Sequence, residues 1–171
     1  AMLRSLVGSE MCIRDSKITA GGAQAIAKML EVNRALTSVN LLQNDIGDGA
    51  PAIVAAAKQQ GNIKTLCGIK DGQTKADFSE CWKTKRLQAP DAVLLSFDME
   101  FNRALKSADL GYNSIGDEGT AALSDALKTN STLETLELRS NEVGAAGAQS
   151  LADMLQFNRA LKSADFSALL N

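Results

Sequence analysis

The chain predicts an α/β solenoid, a stack of strand-and-helix units, and three observations carry that prediction. The nine residues Phe101–Asp109 (FNRALKSAD) recur at Phe157–Asp165, 56 positions later. A related string, Ser131–Glu137 (STLETLE), falls halfway between, so the period is 28 residues, and self-similarity on that scale marks stacked supersecondary units. Within each unit the apolar pattern switches from strict alternation to a 3.6-residue spacing, a strand followed by a helix.

The units align on their apolar positions. Leu36, Val39, Leu41, Asn44, Ile46 and Gly47 form one copy, which follows the looser string Val32–Asn40 (VNRALTSVN). Leu105, Ala108, Leu110, Asn113, Ile115 and Gly116 form the next clear copy, and Leu133, Leu136, Leu138, Asn141, Val143 and Gly144 another. A last copy starts at Leu161, Ala164 and Phe166. The alternating residues predict a short strand with one buried face. The recurring Asn predicts a side chain that hydrogen-bonds the backbone where the strand ends, and Ile-Gly turns the chain into a helix. Ala20–Val32 places Ala23, Ile26, Ala27 and Leu30 on one helical face. Asp117–Thr129 does the same with Thr120, Leu123 and Leu127, and Ala145–Phe157 with Ala148, Leu151 and Leu155. Gly22, Gly119 and Gly147 share one register and predict close approach of helix to sheet.

These residues and their spacing resemble the leucine-rich repeat family, in its ribonuclease-inhibitor-like subtype with 28-residue units. The resemblance runs from about Ile18 to the C-terminus. It implies a curved horseshoe with a parallel β-sheet on the concave face and α-helices on the convex face, its units contacting only their neighbours.

The period breaks in the middle. Ile63, Leu66 and Gly68 begin a repeat in phase, but Lys70-Asp-Gly-Gln-Thr follows where a helix belongs. A strand-like piece returns at Ala76-Asp77-Phe78, with Cys81 at the ladder-Asn position, and a helix resumes at Pro90 with Ala92, Leu95 and Met99 turned inward. The loop Trp82-Lys83-Thr84-Lys85-Arg86 holds the single tryptophan. Trp82, Lys83, Lys85 and Arg86 are candidate partner contacts, an amphipathic ring beside three cations; the alternative is a solvated insertion folded over the gap.

Two expectations concern the ends. Residues 1–16 (AMLRSLVGSEMCIRDS) resemble the translation of a sequencing adapter and are read as a non-native segment. The competing reading is a degenerate first repeat, since Met11, Ile13, Ser16 and Ile18 lie 28 positions before Val39, Leu41, Asn44 and Ile46. Either way Met11–Ile13 is expected as an edge strand. Residues 17–171 then form one repeat domain of about five units, irregular at 63–90 and truncated mid-repeat.

Composition removes several functions. A net charge of −2 gives no general attraction to nucleic acid or an acidic membrane, and no apolar run is long enough to span one. The absence of histidine removes the usual general base and zinc ligand. Cys12, Cys67 and Cys81 are scattered, which fits a reducing, cytoplasmic setting better than a disulfide framework. Gly-Asp-Gly at 47–49 and Gly-Asp-Glu-Gly at 116–119 lack the ligand alternation of a calcium loop. Gly144 and Gly147 precede no Gly-Lys-Ser/Thr. No catalytic residue, metal site, cofactor or small-molecule substrate is expected, and the chain is read as non-enzymatic.

The remaining surface is the concave sheet. The residue between the two inward positions of each strand faces out: Asn40, Cys67, Asp77, Asp109, Glu137 and Asp165. A flanking outward row is expected at Leu42, Ile69, Ser79, Gly111, Arg139 and Ser167, with Tyr112 and Lys106 near the edge. Four acids in the first row suggest a protein-binding face for a basic surface or peptide; the alternative is a solvated row offset by Lys106, Lys162 and Arg139. The candidate contacts are Asn40, Asp77, Asp109, Glu137, Asp165, Tyr112 and Arg139. Two other roles stay open from the resemblance. One is a regulator similar to activators of the Ran GTPase; the other is a structural spacer or ligand-sensing part of a larger nucleotide-binding receptor.

Overall fold

A computed structural model of the chain describes residues 6–7, 10–79 and 85–167. Strands and helices alternate as the period requires. β1 (Leu6–Val7) and β2 (Glu10–Cys12) lead into α1 (Ala20–Val32), β3 (Ser38–Asn40) and α2 (Ala50–Gln60). β4 (Lys75–Asp77), α3 (Ala89–Phe101), β5 (Ser107–Asp109), α4 (Gly116–Thr129), β6 (Thr135–Glu137), α5 (Ala145–Phe157) and β7 (Ser163–Asp165) follow. Three helix ranges agree with the apolar periodicity to within a residue.

Burial follows the two periodicities. Val39, Ala76, Ala108 and Leu136, the centres of their strands, are buried, and so are Leu41, Leu110 and Leu138 just beyond them. Leu30, Ile53, Leu95, Leu123 and Leu127 meet them from the helices. The core is a thin aliphatic layer between sheet and helices. One helical face differs from expectation: in α5 Ala148 and Leu155 are exposed, while Gly147, Leu151 and Met154 are buried. Leu155 points off the side of α5 that no described helix covers, and Ala164 is exposed on β7 for the same reason.

Buried asparagines hold successive strands in register. Asn141 donates to Leu138 O of its own strand end (2.9 Å) and to Leu110 O of the preceding repeat (2.8 Å), and its Oδ1 accepts from Ile115 N. Asn113 spans Leu110 O, Phe78 O and Leu87 N in the same way, and Asn44 spans Leu41 O, Ile13 O and Ile18 N. A second ladder, not anticipated, closes the helices. Asn33, Asn102, Asn130 and Asn158 each accept from the backbone N–H groups two and three residues on. Asn158 also donates to Leu127 O and Asn130 O of the preceding repeat. Asn130, which has glycosylation spacing, is thus a buried structural amide.

Gly119 and Gly147 serve helix–helix rather than helix–sheet contact, while Gly22 lies against Ile18. A Cβ on Gly119 would lie 2.7 Å from Ala92 Cβ of α3 and 2.6 Å from Ile115 Cγ2. One on Gly147 would lie 2.7 Å from Asp117 Oδ1 of α4. Asp117 uses that oxygen to accept from Gly144 N (2.6 Å) and Gly147 N (3.0 Å), so a carboxylate of one helix caps the N-terminus of the next.

The expected single sheet is in fact two. β1–β2–β3 form one, with β1 antiparallel, and β4–β5–β6–β7 form the other, wholly parallel. β2 pairs with β3 at the 28-residue offset (Met11 opposite Val39) and is covered by β1, so it is not the edge strand expected of it. The break follows from the missing helix. Thr65 and Cys67 make isolated bridges to β3, but Thr65 Oγ1 accepts from Cys67 N and Ile69 N, and Gly68 has φ +74°. The segment curls before it can offer an edge to β4, and only the turn at Asp71–Gly72 returns the chain.

Two substitutions test this packing in urea or thermal melts. Asn141→Ala leaves two buried carbonyls without their donor and is expected to cost about 2–4 kcal/mol; exposed Gln149→Ala serves as the neutral reference. Gly119→Ala, which stabilises an ordinary helix by about 1 kcal/mol, is expected here to destabilise by about 1–3 kcal/mol because the interface has no room for the methyl.

Candidate functional site

The open face of the second sheet brings four carboxylates into one file. The register sets Asp77 opposite Asp109, Asp109 opposite Glu137, and Glu137 opposite Asp165, with adjacent strands about 4.8 Å apart. Each of these residues flanks a core position, so pleat alternation turns it outward.

A local job explains part of the acidity. Asp77 Oδ1 accepts from Ser79 N (2.9 Å), Asp109 Oδ1 from Gly111 N (2.8 Å) and Asp165 Oδ1 from Ser167 N (2.9 Å). This is the Asx turn, in which a short polar side chain satisfies the backbone two residues on. Asn40 makes the same bond to Leu42 N at 3.3 Å. Glu137 is the exception; its longer side chain turns to a cation instead.

That cation is Arg139. Its guanidinium bonds Glu137 and lies 3.2 Å from Asp109 and 3.8 Å from Asp165, and its carbon sits 5.3 Å from the centre of the Tyr112 ring. Gly111 makes this possible. A Cβ there would come within 3.1 Å of Arg139 Cγ and of Asp109 Oδ1, so glycine gives the side chain room to cross to the neighbouring strand. Removal from water works against the guanidinium's charge, but Asp109 and Glu137 outweigh it and hold its pKa above the ordinary value. Asp165 is held below the ordinary carboxylate value by Ser167, first through its backbone N–H and then its hydroxyl, with Arg139 adding to this. Tyr112 is half-exposed with φ +59°, a left-handed backbone unusual for a bulky residue. Its N–H donates to Arg139 O (2.9 Å), which helps hold it there.

Several expected positions lie elsewhere. Asn40 belongs to the first sheet, outside the acidic file. Cys67 is buried rather than outward, and burial, with Asp98 and Asp91 nearby, pushes its thiol well above the ordinary value. Leu42 and Ile69 are core residues, not members of an outward row, because both chains curl inward after their strands. Gly111 is buried under Arg139. Lys106 and Lys162 pair with Glu134 rather than with the file. Burial is second-order there: the lysines first, Lys162 foremost, hold the exposed Glu134 below its ordinary value.

In the irregular loop, Trp82 and Lys83 lie outside the described residues, as does Cys81. Lys85 reaches Asp45 (2.6 Å) and Gln43 O (3.2 Å), and Arg86 lies 4.0 Å from Glu142. Both cations thus face neighbouring repeats as well as solvent.

Residues 94–124 and 129–152 match the family model for the leucine-rich repeat, two units of the α/β solenoid seen here. No curated protein matches the sequence. Among solved structures, one titled Leiomodin-1 Actin-Binding Site 2 aligns over 92% of this chain and 69% of its own, at 17% identity and a TM-score of 0.45.

Replacing the guanidinium tests the electrostatics. Arg139→Gln leaves three facing carboxylates without their shared cation, so the Asp165 pKa is expected to rise, as read by NMR titration. For a carboxylate whose folded-state pKa is depressed, stability is present above the unfolded value and lost as pH falls through the folded one. The variant's stability deficit is therefore expected to be largest near neutral pH and low salt and to vanish at acid pH, where the carboxylates are neutral.

Proposed function

We propose that the chain is a non-catalytic protein-binding module that presents the open face of its second sheet to a basic surface or peptide of a partner protein. The observation that carries this reading is the charge balance of the file. Asp77, Asp109, Glu137 and Asp165 supply four carboxylates, and among the described residues Arg139 is the cation paired with them. Facing like charges on paired strands cost stability, and Asx turns account for only one oxygen of each aspartate. The second oxygen of Asp165 lies 3.8 Å from Arg139.

Tyr112 adds an aromatic anchor at the rim of this file. A half-exposed ring beside carboxylates suits a lysine or arginine side chain, which gains both ion pairing and a cation–π contact. Arg139 already illustrates that chemistry from within the chain. The repeat architecture supports the reading further, since its stacked units expose a continuous strand surface for recognition. The loop residues Trp82, Lys83, Lys85 and Arg86 are proposed as secondary contacts for the same partner.

Titration of the full chain with a fluorescent lysine-rich peptide, alongside a glutamate-rich peptide of equal length, tests the proposal. The lysine-rich peptide is expected to bind, and Asp77→Asn with Asp165→Asn to weaken it by about three- to tenfold. Affinity should fall steadily from low to high salt. Salt-insensitive binding, or equal affinity for both peptides, would exclude an acidic recognition face.

A further inference from the structure

Residues 10–72 and 75–167 form two stacks, each held internally by strand pairing and asparagine ladders. Among the described residues, no backbone-to-backbone hydrogen bond joins one stack to the other. They meet through side chains instead. α2 packs on α3, Lys58 pairs with Glu100 (2.6 Å), and Lys85 reaches Asp45 (2.6 Å). The deepest connections are two buried carboxylates on one face of α3. Asp91 accepts from Gln43 N at 2.6 Å, and Asp98, two turns on, accepts from Leu66 N at 2.7 Å and Thr65 Oγ1 at 2.5 Å. A cleft of about 1130 Å³ lies along the junction, lined by Ser38, Asn40 and Thr65 on one side and Phe97, Phe101 and Arg103 on the other.

Where strand pairing stops, two acids on α3 thus do the work of the ladder, Asp98 the more deeply buried. The Asp98 side chain is fully buried, and every group bonded to it is a neutral donor of residues 65–67. The charged groups on the helices packed against α3 are engaged elsewhere or lie at the helix ends. Lys58 of α2 holds Glu100; in α4 Lys128 holds Asp125, Asp117 caps α5, and Glu118 is exposed. Asp91 and Cys67 are the ionisable groups that share its buried surroundings.

We propose that the junction is a proton-linked hinge, latched while Asp98 is neutral and loosened as that carboxyl ionises. A neutral carboxyl keeps acceptor capacity for Leu66 N and Thr65 Oγ1, whereas a buried carboxylate gains by opening to water. Burial is the leading cause that lifts Asp98 from its ordinary value to about 7, against the opposing bonds from Thr65, Leu66 and Cys67. Opening restores the ordinary carboxylate value. The closed junction therefore holds the extra proton, so its stability is fully present below the ordinary value and is lost as pH rises through about 7. Burial raises Asp91 as well, so it titrates in the same sense; the bonds from Gln88 and Gln43, then Lys85 and Arg14, oppose it. With no histidine in the chain, no imidazole titration overlaps this window.

Amide hydrogen exchange of the whole chain, corrected for the intrinsic pH dependence, reads the hinge at Leu66 and Cys67. Their protection is expected to fall about tenfold between pH 6 and pH 8, with α4 and α5 amides unchanged. Asp98→Asn should remove that pH dependence. Carbon-detected NMR titration of the Asp98 carboxyl in the unaltered chain needs no variant, and a midpoint near neutrality is expected. A midpoint in the ordinary carboxylate range would overturn the proposal. So would pH-independent protection, a response of undiminished size in Asp98→Asn, or an equal loss across α4 and α5, which would mean global unfolding.

Discussion

The buried asparagine at each strand end is the constraint on which the rest of the structure depends. Strands of three residues cannot hold a sheet together through their own few hydrogen bonds, and the chain leaves the sheet immediately afterwards. Asn44, Asn113 and Asn141 satisfy the orphaned groups on both sides of that departure, donating to two successive repeats and accepting from the segment that enters the preceding repeat's helix. A side chain with one acceptor and two donors suits that task; an apolar one would leave several buried carbonyls without partners. The second ladder at the helix ends repeats the principle, so the regular turns of the solenoid are clamped at two corners.

The same principle explains what happens where it is interrupted. Residues 63–72 have neither a ladder asparagine nor a helix to carry the chain back, and the segment folds in on Thr65. The unsatisfied N–H groups of that segment and of Gln43 then have to be met from the next helix, which supplies Asp91 and Asp98. Carboxylates bond backbone N–H groups more strongly than amides do, but they bring a charge into a place that water does not reach. The lost ladder is thus replaced by buried carboxylates, where the other strand ends use neutral asparagines.

On the open face, folding and the proposed recognition draw on the same atoms. One oxygen of each aspartate closes the turn after its strand, and in Asp109 and Asp165 the other oxygen is left toward Arg139. Arg139 then gathers three of the carboxylates across adjacent strands, and Gly111 leaves it the space to do so. The result is a rigid, pre-organised surface, with Tyr112 held by its own backbone bond and by the guanidinium at its ring. A partner meeting such a surface finds few rotamers left to freeze.

The period, the strand-and-helix alternation, the helix ranges and the outward placement of Asp77, Asp109, Glu137 and Asp165 were all determined by the sequence alone. Each depends on spacing along one repeat, and local periodicity decides which way a side chain points. What lay beyond that reading depended on neighbours in space. The repeated Asn at 33, 102, 130 and 158 was visible as a recurring letter, but its role as a helix-end ladder needed the preceding repeat's carbonyls in view. Asp98 sits among inward positions of α3, a signal that a polar group is buried there, yet its partners come from a segment 31–33 residues away. The split of the sheet, the inward turn of Leu42 and Cys67, and the crossing of Arg139 over Gly111 were decided only by the tertiary structure. Each turns on whether a neighbouring repeat supplies a helix, an edge or a gap, and a one-dimensional pattern carries no record of which surfaces meet.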